Sequence, residues 1–135
     1  MNIDINNKTR SNINKKLIKQ VVLNFIKYFK IKKSEISIVF VGDKRIKSLN
    51  NFYKKKDKVT DVLSFLGEDN FLGEIIIDYQ QIKRQDKIYN NTIKQELIFI
   101  LVHGLLHLIG YKDKTKKAEE EMNKLGENFI NSLKL

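Results

Sequence analysis

Residues 103–113 read HGLLHLIGYKD, and this stretch decides how the rest of the chain is read. Both histidines of the protein sit here, inside an otherwise apolar run that ends at Gly110. The run extends back through LIFILV (97–102) and is too short to cross a membrane, so it is predicted to be a buried helix. Thr92 and Gln95 form a capping box that starts this helix at about 93. Gly110 is predicted to end it, after residue 109, as a left-handed C′ residue.

On that helix His103 and His107 are four residues apart, so their imidazoles leave the same face on adjacent turns. Gly110 lets the chain turn back, and the next candidate ligand is Asp113. The offsets from His103 match the metzincin pattern HExxHxxGxxH, with Asp in the last ligand position. Two imidazoles and a carboxylate suit one Zn2+ ion and leave a fourth position open. The competing reading is a pair of core histidines at helical spacing. A metalloprotease needs Glu after the first His as general base, and here that position is Gly104. Peptide hydrolysis is therefore not expected, and the glycine is expected to leave room beside the metal. Glu96, seven residues before His103, is either a partner that orients an imidazole or a solvated acid in the first turn.

Outward from this helix, the pattern describes an α+β fold. Ser11 or Asn12 is predicted to cap a helix carrying Ile13, Leu17, Val21, Leu23 (or Asn24), Phe25 and Phe29. NIDI (2–5) precedes it as a short strand, and EISIVFV (35–41) follows as another. Asp43 is predicted to cap a short helix with Ile46, Leu49 and Phe52. TDVLSFL (60–66) and LGEIIIDY (72–79) form a hairpin pair, followed by a short helix near 80–88. Thr115 caps the last helix, whose stripe is Ala118, Met122, Leu125, Phe129 and Leu133. The expected architecture is one domain over residues 1–135. It has a mixed sheet of about four strands, about five helices and a metzincin-like metal helix.

The chain has no cysteine, so it forms no disulfide and suits a cytoplasmic location. MNIDINNKTR lacks the apolar run of a signal peptide, and no membrane partner is expected. The net charge of +10 is uneven. Residues 1–66 carry 14 Lys and 2 Arg against 5 acids, a net of +11, while residues 67–135 carry 9 Lys and 1 Arg against 11 acids, a net of −1. A basic half of this kind suits a polyanion such as nucleic acid. Drift toward A- and T-rich codons also favours Lys, Ile and Asn, but it does not explain why the second half stays near neutral.

The sequence also resembles the YbeY family of bacterial zinc endoribonucleases, linked to ribosomal RNA maturation. The family signature HGxLHLxGYDH is matched by HGLLHLIGYKD, and LNxxYRxxDxPTDVLSF by LNNFYKKKDKVTDVLSF (49–65). LGDIxI is matched by LGEIII (72–77), and AEEEM (118–122) fits the acidic helix that follows. The resemblance implies a zinc site at His103, His107 and Asp113, with Asp113 replacing the third family histidine. It places the family arginine, assigned to catalysis or RNA contact, on Lys54, beside Lys55 and Lys56. Lys54 keeps the charge but not the bidentate fork of Arg. The implied function is cleavage of single-stranded RNA in 16S ribosomal RNA 3′-end maturation and ribosome quality control, with ribosomal RNA and the ribosome as partners. The rivals are a non-catalytic, zinc-stabilised RNA-binding assembly factor and a metallohydrolase of peptides or small molecules. Thr60, Asp61 and Ser64 match the family run without an assigned step. Asp61 is expected to cap a turn or hold strand ends, and Ser64 to face the cleft or the core.

Overall fold

The computed structural model describes residues 1–134. The elements run β1 (Asn2–Asn7), α1 (Lys15–Tyr28), β2 (Glu35–Val41), α2 (Asp43–Lys54), β3 (Val62–Leu66), β4 (Phe71–Asp78), α3 (Tyr79–Ile88), α4 (Ile93–Leu108) and α5 (Lys116–Ser132). The sheet order is β1-β2-β4-β3. β1, β2 and β4 are mutually parallel, and β3 pairs antiparallel to β4 as an edge strand. The α+β class and the mixed four-stranded sheet are those expected.

Period-two alternation divides the core between two faces. Ile36, Ile38, Phe40, Ile75 and Ile77 point to one face and pack with residues of α1, α3, α4 and α5. Val41, Leu63 and Ile76 point to the other, where Ile46 of α2 meets them. One face is thus covered by four helices and the other by α2 alone.

Local signals differ from expectation in five places. α1 is capped by Asn14, whose Oδ1 accepts the Leu17 N–H at 3.1 Å. Ser11 instead closes the preceding loop, accepting from Asn7 Nδ2 through its carbonyl at 2.8 Å. Within α1, Leu23 is half-exposed, and Ile18 and Val22 take the core positions. Asp43 is the first residue of α2 rather than its cap. Gly42 is the cap and, lacking a side chain, makes no side-chain bond, while the Asp43 carboxylate is held by Arg84 at 2.6 Å and 3.0 Å. β3 begins at Val62 rather than Thr60, and Phe52 is exposed rather than packed.

Candidate metal centre

α4 starts at the expected capping box. Thr92 Oγ1 accepts the Gln95 N–H at 3.0 Å, and Gln95 Oε1 accepts the Thr92 N–H at 2.9 Å. Its apolar side chains bury it nearly all round, including Leu101, Leu105 and Leu106. The helix ends in a Schellman arrangement. The Tyr111 N–H donates to the Leu106 carbonyl at 3.1 Å, the Gly110 N–H donates to the His107 carbonyl at 3.1 Å, and Gly110 has φ +106°. That turn sends the chain back along α4 and brings Asp113 to the two imidazoles.

The three expected ligands converge. Their ligand atoms all lie within 4.8 Å of one another, the only such trio of His, Cys, Asp or Glu among the described residues. His103 Nε2 and His107 Nε2 are 3.1 Å apart, and Asp113 Oδ2 is 3.3 Å from the first and 3.6 Å from the second. A tetrahedral ion with bonds of about 2.0–2.2 Å keeps its ligand atoms roughly 3.3–3.6 Å apart, so the donor set fits a metal ion. His107 Nδ1 is 2.9 Å from the Tyr111 carbonyl, the partner that assigns its proton to Nδ1 and frees Nε2 as a lone pair. Such lone pairs and a carboxylate oxygen repel one another unless a proton or a cation lies among them.

Burial is the main reason that the His103 pKa falls below the ordinary histidine value, and the neighbouring His107 adds to it. Asp113 and Asp61 oppose the shift. The neutral imidazole, which is the ligand form, is thereby favoured at neutral pH.

Beside the centre lies a cleft of about 530 Å³, lined in part by Asp61, Gln85, Glu96, Phe99, His103 and Asp113. No Lys or Arg lines it. Two expectations change here. Glu96 is neither solvated nor hydrogen-bonded to an imidazole. It is buried, and it accepts from Gln85 Nε2 at 2.8 Å and from Asn91 Nδ2 at 3.2 Å. Gly104 does not open space beside the metal. A Cβ there would meet Ile75 Cγ2 at 3.1 Å and Ser64 Oγ at 3.2 Å, so the glycine lets α4 approach the sheet. Ser64 points to that contact and donates to the Gly104 carbonyl at 3.3 Å.

Gln85 was not singled out from sequence. It joins Glu96 to Asp61, donating to Asp61 Oδ2 at 3.3 Å. No local signal marks it, because its partners are 11 and 24 residues away. Asp61 also ties β3 to β4, its carbonyl accepting the Asp78 N–H at 2.9 Å.

Lys54, Lys55 and Lys56 lie elsewhere. All three are exposed at the end of α2, and none lines the metal cleft. Lys54 Nζ lies 5.8 Å from the centroid of the Phe65 ring, on the face of the sheet that α2 covers.

A family model described as Endoribonuclease YbeY matches residues 2–134. The Endoribonuclease YbeY of Mycoplasmopsis synoviae (strain 53) is 39% identical over 127 residues, covering 86% of this chain and 81% of its own. That of Thermodesulfovibrio yellowstonii is 45% identical over 106 residues, covering 73% of this chain and 67% of its own. That of Phytoplasma mali (strain AT) is 35% identical, covering 100% of this chain and 90% of its own. Among solved structures, the solution structure of TM1509 from Thermotoga maritima aligns with a TM-score of 0.64 and 28% identity, covering 96% of this chain and 89% of that one. With the match running across nearly the whole chain and through the metal-helix motif, this protein belongs to the Endoribonuclease YbeY family.

Proposed function

We propose that residues 1–135 make one zinc-dependent endoribonuclease domain that cuts single-stranded RNA in the cytoplasm. Its role on this reading is ribosomal RNA processing, at the 16S 3′ end, and ribosome quality control. The observation that carries the reading is the convergence of His103, His107 and Asp113 in a chain of an endoribonuclease family. Two imidazoles and one carboxylate are a zinc donor set with an open position, the pattern of catalytic rather than structural sites. When bound there, zinc supplies Lewis acidity to a phosphodiester.

The chain's own residues supply the rest. His103 and His107 bind as neutral imidazoles, with the Tyr111 carbonyl orienting the second. Asp113 lowers the charge of the centre from +2 to +1, which acidifies water less than three imidazoles would. Gln85 keeps Asp61 and Glu96 in place at the cleft wall. Lys54, which lies outside the metal cleft, is assigned to phosphates away from the reacting one, together with Lys55 and Lys56.

One observation favours a second reading, a zinc-stabilised assembly factor that binds RNA without cutting. The cleft carries Asp61, Glu96, Asp113 and Glu119 and no Lys or Arg. One experiment separates the readings, using a labelled RNA that bears a ribosomal RNA 3′ end, with wild type and His107→Ala purified side by side. The nuclease reading expects cutting by wild type, at least roughly 100-fold less by the variant, and loss of wild-type activity on chelation, as for removal of a principal catalytic group. Equal cutting by both proteins assigns the activity to a contaminant and overturns the reading. Binding without cutting by either, with unfolding on chelation, selects the assembly factor.

A further inference from the structure

The metal cleft holds no cation of its own, so affinity for RNA has to come from another surface. The edge of the sheet formed by α2 and β3 has the required chemistry. Phe52 is 73% exposed and Tyr53 56% exposed, whereas Phe25, Phe40 and Phe129 are buried. The two exposed rings touch edge to face, with centroids 4.8 Å apart, and Tyr53 continues to Phe65 of β3 at 5.0 Å. Phe65 is partly buried against the Val41, Ile46, Leu63 and Ile76 cluster, whereas Phe52 and Tyr53 serve neither core cluster. Phe65 lies under Lys54, and Lys55, Lys56 and Lys58 follow in the exposed segment KKKDK (54–58).

We propose that this edge is a stacking platform for single-stranded RNA. Bases lie on Phe52 and Tyr53, and the sugar-phosphate backbone runs along Lys54 to Lys58. The proposal rests on the reading of the chain as an RNA-cleaving enzyme and adds where the substrate is gripped. Alternating aromatic and cationic side chains are the usual means of holding a strand without reading its sequence, because every base offers a π-face. A docking site for another protein fits less well, since lysine is depleted at the centre of such interfaces.

The neighbouring charges set the path of the strand. A groove of about 550 Å³ runs inward from Tyr53 and Phe65 across the open sheet face. Glu74 is the cross-strand partner of Phe65, and Asp4 lines the same groove further in. Lys8 and Arg45 line the groove as well and offset these two carboxylates, so the net positive charge at this edge comes from Lys54, Lys55, Lys56 and Lys58 beside the rings. Across β3, Ser64 points the opposite way, to the Gly104 carbonyl on the metal helix. A strand that rounds the β3 edge therefore passes from the platform toward His103 and His107.

The test measures binding by the zinc-loaded protein, on ice and over times too short for cutting, with the probes checked intact by gel afterwards. The probes are a labelled single-stranded RNA of about 12 nucleotides and an abasic ribose-phosphate oligomer of the same length, within the usual range of site sizes. Wild type is expected to prefer the base-bearing strand by roughly tenfold or more. The double variant Phe52→Leu/Tyr53→Leu keeps apolar bulk but loses the rings. It is expected to bind both probes alike, with abasic affinity and melting temperature unchanged, while Tyr53→Phe keeps the preference. A double variant that retains the full preference overturns the platform and leaves the rings to a protein partner. Wild type that binds both probes equally also overturns it, but leaves an electrostatic RNA site. Wild type that binds neither overturns the RNA reading itself.

Discussion

Asp78 ends β4 and caps α3, its Oδ1 accepting the Gln80 N–H at 3.1 Å. Its other oxygen is buried without a hydrogen-bond partner, 4.0 Å from Arg84 Nη2. Burial, and then the neighbouring Asp43 carboxylate, push the Asp78 pKa from 3.8 up to about 7, while Arg84 holds Asp43 below its ordinary value. The fold therefore keeps a proton on Asp78 that the unfolded chain releases near pH 3.8. The sign follows: stability from this group is present below pH 3.8 and is lost as pH rises to about 7. His103 acts in the opposite sense. Its lowered pKa means that stability of the metal-free protein falls as pH drops through the ordinary value of 6.5. Asp78→Asn keeps the cap and presents an N–H where the proton sits. It is expected to stabilise the protein above pH 7 by roughly 2 kcal/mol, and to leave the rise in stability with pH that His103 produces. Urea melts from pH 4 to 8 check this. Unchanged pH dependence would mean that Asp78 is ionised throughout.

The helix that carries the centre and the start of the helix after it are set by short-range bonds that a sequence displays. The Thr92–Gln95 box, the Gly110 turn and the Thr115 cap each involve residues within five positions of one another, and all three are found as expected. The start of α1 was less legible because Ser11, Asn12 and Asn14 are all competent caps, and the choice falls to the loop that leaves β1. Gly104 shows where local reading stops. Alanine at this position gains about 1 kcal/mol of helix propensity. Against that, its Cβ sits 3.1 Å from Ile75, and overpacking of this kind costs about 1–3 kcal/mol. We expect Gly104→Ala to lower stability by about 1 kcal/mol net. Metal affinity is also expected to fall, because α4 must move away from β3 and β4 with His103 and His107 on it. Thermal melts with and without added zinc check both effects. A melting point at or above wild type, with unchanged metal affinity, would show that the sheet yields at no cost.

Across the whole molecule, charge is sorted by place. The exposed end of α2 and the following segment hold Lys54, Lys55, Lys56 and Lys58, while the metal cleft holds carboxylates. Four phosphate contacts by these lysines give an expected slope of about −3 for log affinity against log salt on single-stranded RNA. Titrations between about 50 and 200 mM salt measure it over the range where such contacts are lost. Replacing Lys55 and Lys56 by Gln is expected to reduce the slope to about half. A slope near zero would mean that RNA is not held through these phosphates. No described helix is long and apolar enough to cross a membrane.

The sequence by itself determined the order of helices and strands, though not the starts of α1, α2 and β3, and it singled out three candidate ligands. Those features rest on periodicity and on bonds that span a few positions. His103, His107 and Asp113 lie within eleven residues, and helix pitch with one glycine turn is enough to bring them together. The partners of that centre were decided only by tertiary structure. Gln85 reaches Glu96 and Asp61 across three elements, and Ser64 and Ile75 fill the space above Gly104. The sheet also carries Lys54 onto its α2-covered face, away from the cleft that the linear motif suggested. Contacts over 11 to 40 residues depend on strand order and on which face each side chain takes, and neither is encoded at any one position.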